Sequence, residues 1–129
     1  MNTKQLFLIS ASLLAAVDAV AEVSQEQYVQ VAELEIEPAQ LEAYKAAVAE
    51  HAATAIRAEP GVLVLYAVAE KDNPTRIRVF EVYADTSAYK AHLEAPHFKK
   101  YKAVTEKMVK SLKLVQTNPI AMATKDREK

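Results

Sequence analysis

Three side chains able to move protons, Glu81, His92 and His97, fall within one stretch, FEVYADTSAYKAHLEAPHF at residues 80–98. Two imidazoles and a carboxyl are the groups general acid–base chemistry uses. Tyr66 and Tyr83 carry phenols that could donate to a substrate oxygen, so catalytic roles are assigned to His97, His92 and Glu81 and binding roles to the two tyrosines. Each residue also has a packing explanation. His92, four residues after Ala88, fits a half-buried histidine between helix and sheet. His97 could bond a helix end or the Glu81 carboxylate, and Glu81, on a strand face with Val79 and Tyr83, could form an ion pair with His97 or Arg78. His51 lies beside an apolar helical stripe and is read as packing, and Tyr66, Tyr83, Tyr89 and Tyr101 stand at spacings that suit core or interface. The spacing of His92, His97 and Glu81 matches no standard zinc pattern, so no metal is assigned.

Composition narrows the chemistry further. The chain has 129 residues, enough for one domain with a small core, so a dry interface with a second copy would add useful stability. Sixteen Lys and Arg balance seventeen Asp and Glu, which leaves no basic excess to hold nucleic acid or anionic lipid. With no cysteine there is no disulfide, thiolate metal site or cysteine nucleophile. The single glycine, Gly61, excludes a glycine-rich phosphate cradle or dinucleotide fingerprint.

The elements that must position these groups follow from local pattern. Residues 1–21 are expected to be a signal peptide. Lys4 precedes the apolar run LFLISASLLAAV, which is too short to span a bilayer, and Ala19-Val20-Ala21 predicts cleavage before Glu22 and export to the periplasm or medium. The alternative is an amphipathic N-terminal helix that stays on the domain. Residues 22–129 then form the single domain. Tyr28 to Glu37 alternates as a half-buried strand, with Ala32, Leu34 and Ile36 on its inner face. Pro38 suits a first helical turn, and Leu41, Tyr44, Val48, Ala52, Ala55 and Ile56 make one stripe of an amphipathic helix of about twenty residues. Glu59-Pro60-Gly61 ends that helix, with Gly61 expected to turn left-handed. Val62 to Glu70 and Thr75 to Tyr83 form a hairpin around the turn Lys71-Asp72-Asn73-Pro74. Asp85 or Thr86 caps a short helix carrying His92, and Pro96 stops it. Phe98, Tyr101, Val104, Thr105, Met108 and Leu112 again follow helical spacing, and SLKLVQTNPIAMA reads as a last strand interrupted at Pro119.

The order strand, helix, strand, strand, helix, strand predicts an α+β domain of ferredoxin-like βαββαβ topology: a four-stranded antiparallel sheet with both helices on one face. The other face lacks a cover. Val62, Val64, Tyr66, Val68, Val79 and Tyr83 are expected to line it, an apolar patch that a second copy would cover most simply.

Read from Glu81 to Phe98, the pattern E-x-Y-x-D-x-x-A-Y-x-A-H-x-x-x-P-H-F, with Glu59-Pro60-Gly61 about twenty residues earlier, resembles the antibiotic-biosynthesis monooxygenase family. The likeness covers most of residues 27–116 and is nearest to small quinol monooxygenase-like members. It implies a dimeric α+β barrel, a homodimer through the open sheet face, with a pocket in each subunit. It also implies one of several activities: cofactor-independent oxygenation of quinols or polyketide phenols, isomerisation of a small carbonyl compound, or haem degradation. Family membership fixes a fold better than a reaction. The haem branch is similar in fold but uses an Asn, Trp and His set, whereas this chain has no Trp and its later Asn residues lie at Asn73 and Asn118, each before a proline. The expectation is therefore a monooxygenase without cofactor, acting on a small aromatic or quinone-like substrate. A carbonyl isomerase and a non-catalytic barrel that binds a hydrophobic small molecule are the alternatives.

Overall fold

The structure, a computed structural model, describes residues 27–125. The signal peptide expected over residues 1–21, and its cleavage point, lie outside the described residues. Strand β1 runs Tyr28–Ile36, and a single 3-10 turn at Pro38–Gln40 leads into helix α1, Leu41–Ala58. Strands β2 (Val62–Ala69) and β3 (Arg76–Tyr83) form the hairpin, helices α2 (Thr86–Glu94) and α3 (Pro96–Thr105) follow, and β4 (Val109–Thr117) ends the fold. The sheet order is β2-β3-β1-β4 and every pairing is antiparallel, which is the ferredoxin-like arrangement. None of the helices among the described residues is long and apolar enough to cross a membrane.

Alternation in β1 sends Ala32, Leu34 and Ile36 toward the helices, and Ile36, Tyr44, Ala55 and Tyr83 are wholly buried there. The α1 stripe lies slightly off the expected line. Tyr44, Val48, His51 and Ala55 are buried, whereas Ile56 is 47% exposed. The i, i+4, i+7, i+11 spacing of the buried set follows the 3.6-residue turn, and Ile56 falls one step past it.

The second helical unit is two helices rather than one helix with a stop. Ala95 is extended (φ −67°, ψ 142°) because the proline ring disfavours helix at the residue before it, and Pro96 then occupies the first turn of α3. Met108 and Leu112 do not continue that helix. Met108 donates its N–H to the Thr105 carbonyl in the closing turn, and Leu112 pairs with Leu34 in the sheet. Hydrogen bonding along β1 overrides the helical spacing of these apolar residues.

Gly61 is also placed for a different reason from the one expected. No glycine among the described residues has a positive φ. A Cβ at Gly61 would instead stand 2.6 Å from the Ala88 Cβ, so the position needs glycine because α2 passes directly over it.

The open face is smaller than expected. Val79 and Tyr83 sit opposite Ala32 and Tyr28 and are buried under the helices, and a register shift between Val62 and Val64 turns Val62 inward as well. Phe80 takes their place outside, opposite Tyr66, and Val68 lies across from Arg78. Tyr66, Val68 and Phe80 stay exposed beside Arg78, which bridges Glu33 and Glu70 at 3.7 and 3.4 Å.

Candidate functional site

Glu59 is the residue on which the site converges. It caps α1 in an extended conformation (φ −116°, ψ 107°), with its N–H bonded to the Ala55 carbonyl, so its side chain leaves the helix axis and meets the α2–α3 junction. Asp85 caps α2 by accepting from the Ala88 N–H at 2.7 Å, which fixes the rotation of that helix and turns His92 inward. His92, 1% exposed, brings Nδ1 to 2.7 Å from Glu59 Oε2, and His97, in the first turn of α3, brings Nε2 to 2.6 Å from the same oxygen.

A carboxylate oxygen only accepts, so each ring donates an N–H to it. Burial raises the Glu59 pKa, but the hydrogen bonds donated by His92 and His97 outweigh it and hold the carboxyl below its ordinary value. Committing Nδ1–H of His92 to Glu59 leaves the lone pair on Nε2, the tautomer a general base requires.

All three histidines of the chain gather here. His51 stacks on Tyr101 at 4.6 Å, with its ring 5.1 Å from that of His92 and 5.8 Å from that of His97. Its Nδ1 is buried without a hydrogen-bond partner. Burial, reinforced by the charges of His92 and His97, pushes its pKa down to about 4, so it is a neutral ring at neutral pH.

Between these helices and the sheet lies a cavity of about 370 Å³. Leu34, Leu65, Val79, Phe98, Leu112 and Leu114 make it mostly apolar, and His92, His51 and Glu81 supply polar groups on its walls. A small, largely apolar chamber with a few converging polar groups is the usual form of a small-molecule site.

The expected site residues are divided by this geometry. His92 and Glu81 share the cavity. His97 does not line it, but faces a shallow outer groove with Thr54 and Lys100 and touches the cavity group only through Glu59. Glu81 pairs with neither His97 nor Arg78. It accepts from the Tyr83 hydroxyl at 2.6 Å and the Gln30 amide at 3.4 Å, and Gln30 accepts in turn from Tyr28. Tyr83 is fully buried with its hydroxyl committed to Glu81; burial and the Glu81 charge push its pKa far up, so it stays a proton donor to Glu81 rather than to a substrate. Tyr66 lies on the opposite face of the sheet, 63% exposed, because Leu65 takes the inward position of that strand. Glu59 and Gln30 were not nominated from the sequence. The signal for Glu59 was its place in Glu59-Pro60-Gly61, which reads as a helix end and as part of the family pattern but assigns the carboxylate no role.

Glu59, His92 and His97 are also a donor set for a cation, with one ligand atom each, all within 4.8 Å of one another.

Comparison with known proteins agrees with this architecture. A candidate antibiotic biosynthesis monooxygenase from Bacteroides thetaiotaomicron is 44% identical, with 79% of this chain and 97% of that one covered and a TM-score of 0.75. A candidate monooxygenase from Lactobacillus acidophilus is 30% identical over 71% of this chain but only 44% of its own length, with a TM-score of 0.70. A candidate antibiotic biosynthesis monooxygenase from Nitrosomonas europaea, 24% identical over 74% of this chain and 92% of its own with a TM-score of 0.70, shares the fold. No curated protein matches the chain. The antibiotic biosynthesis monooxygenase family model matches residues 27–104, which span every described element that builds the Glu59 cluster, and the chain belongs to that family.

Proposed function

We propose that the protein is a cofactor-independent monooxygenase of a small quinol or phenol, with His92 as the base. The observation that carries this reading is His92 on the wall of an apolar cavity with its Nδ1 held by Glu59, which fixes the imidazole tautomer and leaves the lone pair on Nε2. In this reading Nε2 takes the phenolic proton, and the electron-rich phenolate passes one electron to dioxygen. Recombination of the radical pair forms a carbon–oxygen bond at a ring carbon that bears hydrogen. The proton of that carbon then passes to the distal peroxide oxygen as the O–O bond breaks, giving a carbonyl and hydroxide, and the hydroxide takes the proton from His92 to leave as water. For a hydroquinone the sum is one quinol and one O2 to one hydroxyquinone and one water.

The apolar walls leave the phenolate poorly solvated, which makes it a stronger one-electron reductant toward dioxygen. Glu81, steadied by Tyr83 and Gln30, serves as an acceptor for a second substrate hydroxyl. His97 acts through Glu59 and is a positioning residue. We further propose that two copies pair across the Tyr66, Val68 and Phe80 face to form a barrel dimer, and that the mature protein works in the periplasm or medium.

Oxygen uptake with menadiol, without added metal or flavin, tests the reading. A rate above buffer autoxidation that falls at least about tenfold in His92→Ala is expected, because general-base assistance contributes roughly 10²–10⁴-fold. No rate above autoxidation in the wild type refutes it.

A further inference from the structure

We propose that Glu59, His92 and His97 also form a binding site for one divalent transition-metal cation, of which Zn2+, Co2+ and Ni2+ are the types the donors suit. Two imidazole nitrogens and one carboxylate oxygen match the nitrogen-preferring divalent ions rather than Mg2+ or Ca2+, which take oxygen ligands. The aim of the side chains is already right. His92 Nδ1 and His97 Nε2 both point at Glu59 Oε2, from 2.7 and 2.6 Å, and the three donor atoms lie within 4.8 Å of one another.

A tetrahedral site with bonds of roughly 2.0–2.2 Å places its ligand atoms about 3.3 Å apart. Each nitrogen must therefore withdraw from Glu59 by about 0.6–0.7 Å while donors now as much as 4.8 Å apart close toward the same separation, a rearrangement of side chains that all stand at helix ends. The cation then replaces the two N–H hydrogens that bind the carboxylate in its absence.

A second observation marks the same spot. His51 Nδ1 is the buried side-chain polar atom without a partner among the described residues, on a ring that is 92% buried and whose centre lies 5.1 and 5.8 Å from those of His92 and His97. An orphaned imidazole nitrogen costs about 1–3 kcal/mol where nothing satisfies it. A rotation of that ring toward the cluster supplies a fourth ligand. Entry is from outside: His97 lines the groove shared with Thr54 and Lys100, and the Lys100 charge there is neutralised by Glu50 at 2.8 Å. The ion reaches the cluster without crossing the substrate cavity.

Binding stands independently of the oxygenation reading; one consequence rests on it. With metal on Nδ1, His92 carries its remaining hydrogen on Nε2 and has no lone pair to take a phenolic proton, so the occupied protein is inactive.

The test uses untagged, chelator-treated full-length chain titrated with CoCl2 and followed by visible d–d absorption, with Zn2+ as competitor and thermal unfolding with Zn2+ as a second readout. The expected result is one equivalent of Co2+ in a low-symmetry site, displaced by Zn2+. His97→Ala and Glu59→Gln should lower affinity by about tenfold or more, at the low end of what loss of even an outer-shell partner does to a metal site. His51→Phe should weaken binding less. Circular dichroism establishes that each variant is folded, and His97→Ala is decisive because His97 is the least buried of the three histidines. No Co2+ spectrum and no Zn2+-dependent shift in the wild type, or binding unchanged in His97→Ala, overturns the site. Zn2+ that binds while oxygen uptake continues overturns the inhibition alone. A wild type that never consumes oxygen removes the oxygenation reading and leaves the metal site to be judged on its spectrum.

Discussion

Replacing Gly61 by Ala sets two effects of opposite sign against each other. Gly61 has no positive φ, so alanine fits the backbone, and the loss of unfolded-state freedom alone would stabilise the protein by about 0.4–1 kcal/mol. Against that, the new Cβ meets the Ala88 Cβ at 2.6 Å, about 1 Å inside an ordinary carbon–carbon contact. Neither methyl can turn aside, so α2 must retreat. That helix is tied down on both sides: the Ala84 N–H donates to the Gly61 carbonyl at 2.8 Å, Asp85 caps Ala88, and His92 holds Glu59. Overpacking of this kind costs about 1–3 kcal/mol, so the clash wins and the net change is a loss of about 1–2 kcal/mol. Ala88→Gly alone costs about 1 kcal/mol in helix propensity but opens the space. The double variant should therefore be slightly better than Ala88→Gly, because only the unfolded-state gain of alanine remains, giving a favourable coupling of about 1–3 kcal/mol, the size of the clash. Urea unfolding at one fixed protein concentration measures all four corners of the cycle. A Gly61→Ala protein as stable as the wild type, or strict additivity with Ala88→Gly, would refute the claim that α2 rests on this glycine.

Other perturbations probe the cluster and the open face. Glu59→Gln keeps the shape but removes the charge that two rings donate to, and should cost about 1.5–3 kcal/mol in thermal unfolding; imidazole nitrogen NMR should show His92 losing its fixed Nδ1–H tautomer. In metal-free protein, His51 contributes its full stability above pH 6.5. Because its folded pKa is about 4, the unfolded chain takes the proton first as pH falls, and about 3 kcal/mol should be lost between pH 6.5 and 4. His51→Phe should flatten that slope in denaturant titrations, and an unchanged slope would show that the ring is not buried neutral. Asp85→Ala should cost about 1 kcal/mol through the lost cap, and should lower oxygen uptake as well because the same cap orients His92. Phe80→Asp should convert the proposed dimer to monomer in sedimentation; a variant that remains dimeric places the interface elsewhere.

Features that depend on neighbours in sequence were legible, and those that depend on distant contacts were not. Alternation in β1, the Asp72-Asn73-Pro74 turn and the Pro96 junction are local, and they were enough to order the elements and to put His92 and His97 close together. The run VLVLYAVA of β2 has no charged residue to announce its inner face, and the register shift after Val62 breaks the alternation that would place Val62 on the open face with Tyr66 and Val68; Tyr66 does lie on that face, so the sheet separates it from the cavity and from the binding role expected of it. Leu112 could continue α3 or begin β4 on spacing alone, and only its pairing with Leu34 decides. Glu59 was hidden for a different reason. A charged residue near a helix end before Pro-Gly is ordinary in any sequence, and its importance arises only when two histidines, 33 and 38 positions later, are folded onto one of its oxygens. The signal that was present is a matter of balance. Two histidines on consecutive short helices, one turned inward by a capped start and the other fixed by proline, are hard to bury without an acceptor. Glu81 is the carboxylate grouped with them on the sequence, but its strand position gives it to Tyr83 two residues away. The acceptor had to come from an element that packs across the α2–α3 junction, and α1 ends there.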